Sequence, residues 1–311
     1  MSIMKPDYAV SREPHATCLN CGAQLTGAFC AECGQRDVPA YPSLRELVTE
    51  ALAEFSGWDG RLASTVRELI RRPGMLTCEF LLGRRARYIS PLRVYLAASV
   101  LYFLLAAASP NVRLGTGRGT GLSIEATRSG HTQSSASTPI ASGVENPSPN
   151  EPITGAEKEA ALKDIAGAPK VMQPFLRRAV TDPDAFKRDL IDSMPRMFFL
   201  LLPVFAGIVA LFYRGRKYPE HLYFAIHLHA FVFLALAVAE LMKFTRSAAL
   251  VTVAGAAAVI WIPIYAVLAF RRVYDGSLGT TLAKALAIGA IYFVAFGLGL
   301  FILVLWVSVA A

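Results

Sequence analysis

The chain has 311 residues, of which 54% are hydrophobic and only 17% charged, against about 25% charged in an ordinary soluble domain. Residues 1 to 93 carry twelve Lys or Arg and ten Asp or Glu, whereas charges beyond Met197 are rare and clustered, so a single soluble domain is excluded. The net charge of +8 lies beside hydrophobic segments, where it orients membrane spans and meets anionic lipid; this argues against nucleic acid as the partner.

Residues 1 to 30 lack the apolar stretch of a cleavable signal peptide, so the first region is expected to stay in the cytoplasm. Within it, residues 1–42 read as a metal-binding head. Cys18, Cys21 and Gly22 form one Cys-x2-Cys-Gly knuckle, and Cys30, Cys33 and Gly34 form a second. Each short turn lets two thiolates face one ion, and the glycine relieves the backbone after the second cysteine. Four sulfurs suit one tetrahedral zinc, a structural ion because no coordination position is left open. A redox pair and a four-thiolate iron centre are the competing readings. The head is too short to bury a core, so the metal is expected to supply its folding free energy. Cys78 stands apart in an apolar run and reads as a small hydrophobe.

Residues 43–90 read as an amphipathic, interfacial linker. Ser43 and Glu46 make a capping box for a helix over 43–56, with Leu44, Leu47, Val48, Ala51, Leu52 and Phe55 at helical spacing. Gly57 to Gly60 breaks it. A second short helix carries Leu62, Val66, Leu69 and Ile70 on one side and stops at Pro73 and Gly74. Eight arginines lie between Arg61 and Arg93, against Glu68 and Glu79 alone. This pattern fits a surface on anionic headgroups, as a plain topological flank or as a lipid or anion site at Arg84, Arg85, Arg87 and Arg93.

Five segments are long and apolar enough to span a bilayer: 91–108, 197–213, 222–242, 248–270 and 282–309. The expected fold is therefore an α-helical integral membrane protein with about five transmembrane helices and a small N-terminal zinc ribbon. The positive clusters at Arg84 to Arg93, at Arg214, Arg216 and Lys217, and at Arg271 and Arg272 place the head inside and the C-terminus outside. Residues 109–196 become an external loop. It is rich in Gly, Ser, Thr, Pro and Asn and expected to be disordered to about residue 155, with helices near 157–165 and 183–191.

The third span is unusual for its ionisable groups, which are costly at membrane depth. At about 100° per residue, His221, His229 and Glu240 share one broad face while His227 points elsewhere. His221 and His229 are separated by about 12 Å along the axis, too far to hold one metal ion without help from other helices. Packing with interhelical hydrogen bonds and a functional polar pocket both remain open.

Several stretches resemble a known family. They are Cys18 to Gly22, Phe29 to Gln35, Arg72 to Gly74, Gly83 to Arg85, Arg87 to Tyr95, Leu101 to Leu104 and Glu220 to His229. In order and spacing these are similar to a bacterial family of multi-pass membrane proteins known as domain of unknown function 3667. The resemblance implies a zinc-ribbon head on a helical membrane region, in the bacterial cytoplasmic membrane, and names no reaction. Two functions are carried forward. The first is a zinc-headed module that recruits or senses a cytoplasmic protein partner, with membrane lipid around its spans. The second is a membrane enzyme or small-solute transporter that uses the polar groups of the third span.

Overall fold

The computed structural model describes residues 16–37, 61–109, 159 and 162–309. The helix expected at 43–56 and the low-complexity stretch at 110–155 lie outside the described residues. The helices are α1 (Arg61–Arg71), α2 (Met75–Leu81), α3 (Pro91–Ala108), α4 (Gln173–Thr181), α5 (Pro183–Phe212), α6 (Tyr218–Lys243), α7 (Ala248–Tyr274) and α8 (Leu278–Val309). Among the described residues the only strand-like pairings are two isolated bridges in the head.

Five helices, namely α3 and α5 to α8, are long and apolar enough to cross a membrane. Their starts have local reasons. Ser90 is extended and Pro91 occupies the first turn of α3, where its missing N–H costs nothing. The Glu220 carboxylate accepts a hydrogen bond from the Lys217 N–H at 3.2 Å and closes the start of α6. Ser247 accepts from the Leu250 N–H at the start of α7. The apolar span expected to begin at 197 is the second half of a longer helix, because α5 starts at Pro183.

The chain divides into two compact units. The first contains the described residues of Met1–Pro110 together with Phe198–Phe296. At its centre lies α6: 67% of its apolar window is buried against 11% for α8, so α6 is the inner helix and α8 the least buried of the five. Neighbours line up along it in order. Tyr95 and Tyr102 of α3 both meet Phe233. On α5, Phe198 meets Phe233 and Phe205 meets His229. On α7, Tyr265 stacks on Phe231 and Phe270 packs on Phe224. Thus α5 and α7 run antiparallel to α6, which brings the end of α5, the start of α6 and the end of α7 to one side.

Helices α1 and α2 form a wedge against α6 and α7 on that same side. Leu69, Leu76 and Phe80 are buried in the shared core. Phe80 packs on Tyr223 and His227. The Tyr265 hydroxyl donates to the Leu69 carbonyl at 2.7 Å, and the Arg272 guanidinium donates to the Pro73 carbonyl at 2.8 Å. Between them Gly74 has φ +75°, and a Cβ there would come within 2.9 Å of the Ala269 carbonyl oxygen.

The second unit contains the described residues of Asn111–Met197 and Gly297–Ala311. Arg178 of α4 donates to the Val307 carbonyl and pairs with Asp189, and Phe175 meets Phe186 edge-on at 5.5 Å.

The Gly74 approach predicts a sharp sensitivity. Gly74→Ala should destabilise the protein by roughly 1–3 kcal/mol through overpacking and backbone strain. Gly207→Ala, where a Cβ meets nothing within 4 Å, should change little. Thermal inactivation of both variants in detergent, followed by size-exclusion chromatography, separates the two; equal melting would refute the tight contact.

Candidate functional site

The head is built from one motif used twice. Cys18 N–H donates to the Ala23 carbonyl, Gly22 N–H to Cys18 and Leu25 N–H to Ala16. Twelve positions later Cys30 N–H donates to Gln35, Gly34 N–H to Cys30 and Asp37 N–H to Ala28. The bridges Thr17–Gln24 and Phe29–Arg36 keep the same offset. Gly22 and Gly34 turn the chain at φ +80° and +70°, a conformation that glycine adopts without a Cβ clash.

These turns aim four sulfurs at one point. Cys18 Sγ lies 3.6 Å from Cys33 Sγ, Cys21 Sγ lies 3.5 Å from Cys30 Sγ, and all four sulfurs fall within 4.8 Å of one another. Zinc–sulfur bonds of about 2.3 Å in a tetrahedron put sulfurs about 3.8 Å apart. The cluster can therefore hold a metal ion. Its thiols also ionise unequally. Burial opposes the Cys33 thiolate, but hydrogen bonds involving the Gln35 backbone and the Asn20 side chain bring it down to about 7. The Ala23 backbone favours the Cys21 thiolate, yet the neighbouring thiols, Cys30 foremost, push it up to about 12. Crowded sulfurs resist shedding their protons together, and a bound cation removes that resistance.

The head is fastened to the wedge by Gln35, which is only 9% exposed. Its Nε2 donates to the Gly83 carbonyl at 2.8 Å, while its Oε1 accepts from the Arg85 and Ala86 N–H groups at 3.0 and 3.1 Å. Leu19 packs on Gly83, where φ is +79° and a Cβ would fall 2.5 Å from Leu19 Cδ1. The same loop is held from α1. Arg61 donates to the Ala86 carbonyl at 3.0 Å, and Ile89 N–H donates to Thr65 Oγ1 at 3.2 Å. Gln35 was not singled out by sequence reasoning. The signal lay in the repeat, since the knuckles match as far as Gly22 and Gly34 and then differ as Ala23 and Gln35.

Around this loop, Arg84 pairs with Glu79 at 3.2 Å. The Arg85 guanidinium sits 5.9 Å from the centre of the Tyr223 ring. Arg84 and Arg87 are partly to fully open to solvent, and Arg85 and Arg93 are half-buried. Cys78 Sγ donates to the Arg272 carbonyl at 3.7 Å, and desolvation raises its thiol above the usual range, which keeps it protonated and unreactive.

The polar groups of α6 are served one at a time. His229 Nδ1–H donates to the Ala225 carbonyl at 2.8 Å, which leaves Nε2 to accept from the Tyr292 hydroxyl, also at 2.8 Å. His221 Nδ1 lies 2.8 Å from Tyr274 Oη, and Glu240 pairs with Lys243 at 2.8 Å. The structure thus gives His221, His229 and Glu240 three different partners on three different elements. His227 is 3% exposed and meets Thr77 Oγ1 at 3.1 Å. It also lines a cavity of about 10 Å³ with Leu69, Gly74, Thr77 and Tyr265, room for about one water molecule.

Comparison with known proteins adds one match. The family described as "Protein of unknown function (DUF3667)" matches residues 59–103. No curated protein and no solved structure matches the chain. The matched stretch holds α1, α2, the loop gripped by Gln35 and most of α3, so the similarity falls on the wedge and its exit into the first span.

If His229 and Tyr292 act as one unit, their deletions should not add. Tyr292→Phe and His229→Gln should each cost about 0.5–2 kcal/mol, and the double variant little more than the worse single. Unfolding of all three variants in micelles measures this; strictly additive losses would mean the hydrogen bond does not form.

Proposed function

We propose that this chain is a zinc-headed docking or sensing module of the bacterial cytoplasmic membrane, with its N-terminus in the cytoplasm and its C-terminus outside. The observation that carries this reading is the convergence of Cys18, Cys21, Cys30 and Cys33 on one point, on a head bonded to the membrane unit. Four sulfurs in a tetrahedral arrangement suit zinc or iron, and zinc is favoured because it needs no redox partner and takes four-cysteine sites as structural centres. Four protein ligands leave no open position, so the ion holds the fold and does no chemistry on a substrate.

The side assignment has independent support. The head contacts the loop after α2, and α2 lies against the start of α6 and the end of α7. That is the side of Arg214, Arg216 and Lys217 and of Arg271 and Arg272, and positive loops favour the cytoplasm. Arg84 and Arg87 then face anionic headgroups, where each contributes about 1 kcal/mol of attraction. On the head itself Phe29 is 62% exposed, a large apolar side chain suited to a protein partner. The enzyme or transporter reading has less support, because His221, His229 and Glu240 are engaged by Tyr274, Tyr292 and Lys243.

Purified full-length protein should carry about one zinc per chain by elemental analysis, and Cys30→Ser should lose it. A metal-free wild type, or full zinc retention in the variant, would end the zinc reading. Reporter fusions after Arg36, Lys217 and Asp275 should report the cytoplasm, and fusions after Gly130, Arg246 and Ala311 the outside. A cytoplasmic Gly130 would overturn the first crossing. A photo-crosslinker replacing Phe29 should trap protein in zinc-replete cells; labelling of lipid alone would remove the docking role.

A further inference from the structure

The loop from Gly83 to Ser90 connects the wedge to the first span. Its inner residues Tyr88 and Ile89 belong to the buried core, and Ser90 and Pro91 start α3. Two of its grips, from Arg61 and Thr65, come from α1. The third comes from the head, and it belongs to the metal cluster as well as to the loop. The Gln35 backbone carbonyl accepts from the N–H of Cys30 at 2.8 Å, while the Gln35 side chain spans Gly83, Arg85 and Ala86. One residue is therefore fixed at its backbone by a metal-ligand residue and at its amide by the membrane unit.

We infer that Gln35 couples metal occupancy of the four-cysteine cluster to the order of the Gly83–Ser90 loop, so that loss of the ion releases the entry to the first span. The inference rests on the metal reading above and adds to it the route by which occupancy is felt. A knuckle without its ion loses the interaction that folds it. The Cys30 N–H then no longer holds the Gln35 carbonyl, and the amide swings away. The Gly83 carbonyl and the Arg85 and Ala86 N–H groups lose their partners together, and an unpaired polar group in a packed setting is costly enough to favour opening. An amide suits this place for a chemical reason. It offers one acceptor to two N–H groups and one donor to a carbonyl. A carboxylate keeps the acceptor, loses the donor and faces the Gly83 carbonyl with a second oxygen.

The test is hydrogen–deuterium exchange of the full-length protein in nanodiscs, read at the amides of Arg85 and Ala86, with zinc content measured on the same samples. In zinc-loaded wild type both amides should exchange slowly, and chelation should accelerate them about tenfold. In Gln35→Ala the protein should keep one zinc per chain yet exchange at the chelated wild-type rate, and chelation should add less than about twofold. Gln35→Glu, the gentler variant, should fall between the two with zinc unchanged. Zinc-loaded wild type whose loop ignores chelation would overturn the coupling while leaving the metal reading intact. Slow exchange in both zinc-loaded Gln35 variants would overturn the assignment to Gln35. A wild-type chain that holds no metal would overturn the metal reading and this inference with it.

Discussion

A helix that stops beside two other helices leaves carbonyls in need of donors, and the arrangement of the first unit depends on where those carbonyls find them. The break between α1 and α2 is made by Pro73 and Gly74. Its Leu69 carbonyl is met by the Tyr265 hydroxyl, its Pro73 carbonyl by Arg272, and its Arg72 carbonyl by the Met75 N–H. Two of these three donors belong to α7, so α7 cannot slide without stripping partners from the wedge. Gly74 lets the turn approach the α7 backbone closely enough for the bonds to form. Residues 61–90 are therefore part of the helical bundle on one face, while their exposed arginines lie on another.

Burial alone does not assemble such a bundle, because an apolar side chain gains little by leaving lipid for protein. What the centre offers is shape and local polarity. Ala225 and Ala230 are fully buried on α6 and give neighbours close access. Phe233 collects Tyr95, Tyr102, Phe103 and Phe198 around it. The histidines add directional bonds to α2, α7 and α8 through Thr77, Tyr274 and Tyr292. Three bonds in three directions fix the rotation of α6 about its own axis, which apolar contacts alone leave loose. That rotation carries Phe231 to Tyr265, and with it the donor on which the wedge relies.

Much of this was legible in the sequence for simple reasons. The four cysteines, the five apolar helices and the stop at Pro73 and Gly74 are local signals, each contained in a few residues or one hydrophobic run. The partners of the histidines were not legible. His229 and Tyr292 are 63 positions apart, and Thr77 and His227 are 150 apart, so no window holds both members. Helical angles grouped His221, His229 and Glu240 on a broad face, but a face of α6 meets several helices, and each group found the nearest donor or acceptor. His227, set apart by the same angles, proved to be the histidine that contacts the wedge. A helix near 183–191 was expected, but its unbroken run into the span from 197 was not, because Pro183 to Met197 is largely polar and gives no hydrophobic signal. Pro195 within it also reads as a boundary, since proline in a helix interior gives up a backbone hydrogen bond.

Where, then, does the chain keep its capacity to respond? Each α6 histidine makes at least one bond within the protein, and among the described residues His221 and His227 leave a buried Nε2 without a partner. The junction between head and wedge is different in kind. The cluster gathers four thiols close enough to hold a metal ion, and a knuckle that binds one couples its fold to something outside the chain. Gln35 ties that state to a loop whose next residues are core on one side of Ser90 and first span on the other. Had the head hung on a free linker, a change in it would have stayed local. Because the Arg85 and Ala86 amides are completed by a head side chain, the loop cannot keep its full set of hydrogen bonds unless the head keeps its shape, and the constraint runs in the other direction as well.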